Sequence, residues 1–137
     1  MTKIETAKVQ VQKTAEEIFN FLLNFNNFQK LMPEGKVSGW NSSDKDFSFV
    51  FSGMARIGMA HSSNEPNKVI HIVCHGSNPF DFTLKVIIDG KEDGTSEVKM
   101  DFEAEINPFI KAMVEKPLDS FFNALTQNLQ KLNDGLK

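Results

Sequence analysis

From Lys36 to Glu105 the hydrophobicity of this chain keeps a period close to two, and only a few residues separate one run from the next. Phe47, Phe49 and Phe51 share one side of a strand, and Ile57 and Met59 repeat the pattern. Phe80, Phe82, Leu84, Val86 and Ile88 alternate with Asp81, Thr83 and Lys85, while residues 68–75 are apolar on both faces. The breakers are Ser42-Ser43-Asp44, Ser52-Gly53, Asn64-Glu65-Pro66-Asn67, Gly76-Ser77-Asn78-Pro79, and Asp89-Gly90 through Asp93-Gly94. Links this short cannot hold the crossover that a parallel pair needs. The pattern therefore predicts six strands joined as consecutive antiparallel hairpins.

The period changes on both sides of this block. Before it, Ala7 to Gln12 alternates as one more strand, and Thr14-Ala15-Glu16-Glu17 has the spacing of a capping box that opens a helix. Ile18, Leu22 and Phe25, flanked by Phe19 and Phe21, supply that helix's apolar face. A second short helix carrying Phe28, Leu31 and Met32 ends at Pro33-Glu34-Gly35, and this group serves either as a movable lid or as ordinary core. After the block, Asn107-Pro108 reads as an N-cap with proline in the first helical position. Ile110, Val114, Leu118, Phe121, Leu125, Leu129 and Leu132 then recur at steps of four and three, with Met113 and Phe122 widening the stripe. A helix over 108–133 would be about 39 Å long, enough to cross a sheet. Pro117 removes its bond to the Met113 carbonyl, which predicts a bend near 113–117.

One strand, two short helices, six strands and a long helix make an α+β chain. The arrangement expected is a curved seven-stranded antiparallel sheet whose concave face is covered by the C-terminal helix. A cylinder against a curved sheet leaves space at one end, and pockets of this kind run to about 300–1,000 Å³. The chain has 13 Phe, 6 Met, one Trp and no Tyr. Such rings and thioethers suit either a Phe-rich core or an apolar cavity whose walls adapt in shape. The cavity reading draws its wall from Phe25, Phe28, Trp40, Phe49, Met59, Phe82, Met100, Met113 and Phe121. For Trp40, next to Gly39, core packing and a position at the cavity mouth are both open.

Few residues carry chemistry. His71 and His75 share a face but stand about 13 Å apart by strand rise, too far for one metal. No P-loop, dinucleotide fingerprint or Gly-x-Ser-x-Gly occurs, and Gly53-Met54-Ala55-Arg56-Ile57-Gly58 resembles none of them. No catalytic residue, metal or cofactor is therefore assigned. Cys74, the single cysteine, excludes an intrachain disulfide and reads as a buried small hydrophobe. The candidate polar anchors are Arg56, the one arginine, whose fork suits a carboxylate or phosphate, and His61 and His71.

Charge excludes other classes. A net charge of -3 leaves no basic footprint for nucleic acid. Seven acids against two lysines in residues 89–105 make that region acidic, and from Glu97 to Glu105 the acids alternate with apolar residues as on a solvated strand face. No apolar run reaches the roughly 18 residues of a membrane span, and the first residues lack a signal-peptide core. A cytoplasmic protein is expected.

The Thr14-Ala15-Glu16-Glu17-Ile18-Phe19 helix start, the Leu31-Met32-Pro33 that closes the second helix, and the terminal helix together resemble the START/Bet v 1-like helix-grip superfamily. Its bacterial members include polyketide cyclase-like and SRPBCC-type proteins. The stretch from Asn107-Pro108-Phe109 to Pro117-Leu118-Asp119-Ser120-Phe121-Phe122 looks like the last helix of small bacterial members. The resemblance covers the chain as one domain, 1–137. It implies a cavity between helix and sheet that holds lipids, polyketides or aromatic compounds. The function expected is binding of such a hydrophobic small molecule without catalysis. The rivals are a polyketide cyclase- or dehydratase-like enzyme and a co-chaperone-like interaction module. An enzyme would need inward polar groups, which the absence of Tyr and the scarcity of Arg and His disfavour. An interaction module would show a filled interior and an exposed apolar patch.

Overall fold

A computed structural model describes residues 2–33, 35–51, 55–76, 78 and 80–131. Eight strands form one antiparallel sheet: β1 (Thr2–Glu5), β2 (Val9–Val11), β3 (Val37–Ser42), β4 (Asp46–Phe51), β5 (Ala55–Glu65), β6 (Val69–Cys74), β7 (Asp81–Gly90) and β8 (Ser96–Glu105). The order across the sheet is β1-β8-β7-β6-β5-β4-β3, with β2 also pairing β8. Helix α1 (Ala15–Leu23) and a 3-10 helix (Phe25–Leu31) follow β2, and α2 (Pro108–Lys131) closes the chain. The curved sheet and long helix make a helix-grip fold.

The six strands after the short helices are those the alternation predicts. The added strand lies at the N-terminus. Thr2, Ile4 and Thr6 are buried while Lys3 and Glu5 face water. β1 and β2 lie along the same edge of β8, and between them Thr6 donates its N–H to Met100 O and accepts the Met100 N–H on its hydroxyl. A threonine that fills an inward strand position looks polar in a hydrophobicity pattern, so β1 stayed hidden there.

Local chemistry sets the helix ends. Thr14 and Glu17 form the capping box, each bonding the other's backbone N–H. Asn107 caps α2 by accepting the Ile110 N–H at 3.0 Å. Pro117 lies within α2, which runs on to Lys131; Leu132 and 133 fall outside the described residues. Three side chains tie the later part of α2 to other elements. Asn123 accepts the Ala7 N–H, Asn128 donates to Leu31 O, and Gln130 donates to Gln10 O.

The outward positions of β8, from Glu97 to Glu103, carry its charges, while Val98, Met100, Phe102 and Ala104 are buried. Lys91 bridges Asp89 at 2.8 Å and Glu97 at 3.0 Å, and those hydrogen bonds raise its pKa to about 12. The acidic segment is thus a solvated, partly neutralised sheet face.

Phe121 is buried among the rings of Phe49, Phe51 and Phe122. Phe121→Ala should therefore cost about 3–5 kcal/mol in urea unfolding, whereas Met113→Ala, in solvent, should stay within about 0.5 kcal/mol. A reversed ranking would refute the phase of α2. Hydrogen bonds from the Thr14 backbone and then its hydroxyl hold the Glu17 carboxyl below its ordinary 4.5. A depressed folded pKa means that the box contributes fully above the unfolded pKa, and that its contribution is lost as pH falls through the folded one. In an NMR titration, Thr14→Ala should move Glu17 back up toward 4.5.

Candidate functional site

The concave side of the sheet is filled by aromatic rings. Phe28 stacks on Phe47 with centroids 5.1 Å apart, and Phe25 meets both edge-on. Phe47 and Phe49 lie against Trp40, Phe49 stacks on Phe121, and Phe121 meets Phe122. Phe122 then reaches Phe102, Phe82 and Phe80. A chain of rings in contact links the 3-10 helix to the far end of β7.

Trp40 enters this chain through a bulge. Val37 opposes Phe51 and Ser42 opposes Phe47, with the register shifting between Ser38 and Asn41. The extra residue turns Trp40 onto the concave face, where its indole N–H donates to Ser42 Oγ at 3.0 Å. Gly39 makes the bulge feasible. Its φ is +61°, and a Cβ there would stand 2.8 Å from Arg56 Nη2.

The open space lies at one end of the grip. A cavity of about 400 Å³ is lined by Pro33 and Lys36 after the 3-10 helix, Phe51 at the end of β4, and Lys116, Pro117, Ser120, Phe121 and Ala124 of α2. Of the nine residues expected as its wall, Phe121 alone lines it. Phe25, Phe28, Phe49, Met59, Phe82 and Met100 do face inward, but they are packed core, and Trp40 is half-buried beside them. The correction has a simple cause. Phe47, Phe51, Phe102 and Phe122 enter the same interior and take up the volume that the wall was expected to enclose.

Met113 is also corrected: it is 71% exposed. The buried stripe of α2 runs through Val114, Leu118, Phe121 and Leu125, and Met113 sits about 100° around the helix from Val114. Its flank faces solvent one turn before Pro117, and Phe109, a further turn back, is 85% exposed.

The expected polar anchors lie away from this mouth. Arg56 is on the outer face of the sheet, donating from Nη1 to Gly39 O at 3.0 Å and Ser48 Oγ at 3.1 Å. The parity of β5 decides this, since Ile57 and Met59 on either side of Gly58 are the buried positions. His61 borders a separate polar depression with Asn20, Asn24, Asp44, Lys45 and Asn64, and its Nε2 is 3.1 Å from Asn64 Nδ2. His71 faces outward beside Glu65 at 3.4 Å. Cys74 is half-buried at the end of β6, with Sγ 3.8 Å from Asp81 Oδ1, rather than sealed in the core.

Sequence reasoning missed Lys36 and Lys116 at the mouth. Lys116, Ser120 and Ala124 repeat at a spacing of four beside the buried stripe, a signal that the sequence contains. The lining carries two ammonium groups and no carboxylate. It offers apolar walls with a positive rim, and no paired acid and base.

Solved structures share this fold at low sequence identity. XoxI from Bacillus cereus superimposes with a TM-score of 0.76 at 10% identity, covering 99% of this chain and 98% of that one. A START superfamily protein from Mycobacterium smegmatis gives 0.66 at 14% identity, covering 95% and 98%. Norcoclaurine synthase from Thalictrum, solved with a transition state analogue, gives 0.71 at 13% identity, covering 98% and 94%. The protein therefore has the START/Bet v 1-like fold. The sequence profile of the carbon monoxide dehydrogenase CoxG family matches residues 7–134, and the chain belongs to that family. No curated protein matches the sequence. Among the described residues, no helix is long and apolar enough to cross a membrane.

Gly39→Ala should cost about 1–2 kcal/mol for the left-handed backbone alone. It should also shift Trp40 emission, because the bulge holds the indole against Phe47. Unchanged emission and stability would show that the strand tolerates another register.

Proposed function

We propose that this protein binds a hydrophobic small molecule, lipid or polyketide-like, at the mouth between α2 and the sheet, and that it does so without catalysis. The observation that carries this reading is the 400 Å³ cavity whose floor, Phe51 and Phe121, is continuous with the aromatic core. A ligand there buries apolar area at roughly 25 cal/mol per Å². The fold supports the reading, and norcoclaurine synthase shows that a protein of this shape holds a transition state analogue. A cyclase-like reaction would need a proton donor and acceptor near the ligand. His61 lies in another depression and His71 on the outer face, which supports binding alone.

The exposed Phe109 and Met113 favour one second reading, a protein-interaction module docking through the first turns of α2. Two variants separate the readings. A fluorescent fatty-acid probe should bind the wild type with micromolar affinity, about 8 kcal/mol. Ala124→Trp, which fills the mouth, should weaken it by at least tenfold, a change of about 1.4 kcal/mol. The Phe109→Ser/Met113→Ser double variant should leave it unchanged. Probe binding lost only in the double variant would move the site to the exposed patch, and no binding to a folded wild type would end the small-molecule reading.

A further inference from the structure

We infer that the ligand taken by this mouth is an amphiphile with an anionic head, held at the rim by Lys36 and Lys116 while its chain lies against Pro33, Phe51 and Phe121. The inference rests on the mouth being the binding site and names the chemistry that it selects.

The argument begins with how the lysines of this chain are used. Lys3 pairs with Glu103, Lys91 with Asp89 and Glu97, Lys99 with Asp101, and Lys111 with Glu115. Lys36 and Lys116 line the mouth, and neither forms an ion pair with a described residue. Glu115, the acid next to Lys116 in sequence, is turned to Lys111 at 3.6 Å. In a chain of net charge -3, two cations placed on one apolar opening, without a carboxylate in its lining, form a local reversal of sign.

The two lysines come from different elements. Lys36 follows the turn after the 3-10 helix, where its N–H donates to Pro33 O at 3.3 Å, and Lys116 stands mid-helix, one turn before Ser120. An anion between them would join the two sides of the mouth. Lysine is a compact charge on a flexible apolar stem, so the stems extend the wall while the ammonium groups reach the head. Two point charges accept carboxylate or phosphate alike. The shared feature is an anion on an apolar chain. A cavity of about 400 Å³ whose lining is mostly apolar gives that chain its place.

The test compares three probes of one chain length: dodecanoic acid, dodecyl phosphate and dodecanol, titrated into the full chain at low salt by calorimetry. At least one anionic probe should bind about tenfold tighter than the alcohol, an advantage that shrinks as salt screens the exposed lysines. Lys36→Gln/Lys116→Gln should erase the advantage, leave dodecanol affinity unchanged, and keep the wild-type thermal melt. A tighter phosphate would identify a lipid phosphate head, and a tighter carboxylate a fatty acid. Equal binding of all three to the wild type would overturn the anionic head while leaving the mouth as the site. An advantage that survives in the double variant would overturn the role of these lysines. Failure of every probe to bind the folded wild type would remove the mouth itself.

Discussion

Ring-on-ring packing between β4 and α2 is the contact on which the rest of the molecule depends. Phe49 and Phe51 meet Phe121 with centroids 5.5 and 4.9 Å away, and this is where the long helix is held against the half of the sheet farthest from β8. Offset and edge-on rings contribute about 0.5–1.5 kcal/mol per pair beyond their buried area. Phenylalanine suits this place because it brings no polar atom that would need a partner in the interior. The absence of tyrosine lets ring after ring enter one core without a buried hydroxyl. The same density has a consequence for function. Volume that a looser member of this fold could leave open is taken up by side chains, and the free space moves to the end of the grip.

How much of this was legible in the sequence depends on which physical quantity each feature needed. Strand alternation, the Thr14–Glu17 capping box and the Asn107 cap are local, so periodicity and spacing revealed them. β1 was missed because Thr2 and Thr6 behave as core in a strand while counting as polar in a pattern. The cavity wall was misplaced for another reason. Parity gives the face of a residue, but the room left on that face depends on sheet curvature and on the summed volume of every ring that enters. Neither quantity is local. Met113 shows the limit of a widened helical stripe, since about 100° of rotation from Val114 separates core from solvent.

The two ends of α2 are held differently, and the mouth lies at the change. From Leu118 onward the helix buries Phe121, Phe122, Leu125, Thr126 and Leu129, and Asn123, Asn128 and Gln130 tie it to the rest of the chain. Before Leu118, Val114 is its one fully buried side chain, and Phe109 and Met113 face water. Pro117 at the boundary has no N–H to give the Met113 carbonyl. A helix anchored at its far end and lightly packed at its near end can yield at the near end with little loss of core. Proteins admit ligands at such places of low local stability, because opening there leaves the main packing intact.

The rim then decides what the opening admits. An apolar mouth alone would sort ligands by size, since Phe51 and Phe121 offer area without direction. Lys36 and Lys116 add a direction, because a charged head has one end of the cavity where it is stabilised and no such place along the walls. Exposed charge pairs contribute little to affinity, about 0.2–1 kcal/mol each. Their value lies in orientation and in choice among similar chains. The aromatic core that fills the grip and the two lysines at its end thus act together: the first confines the ligand to the mouth, and the second sets which way round it sits.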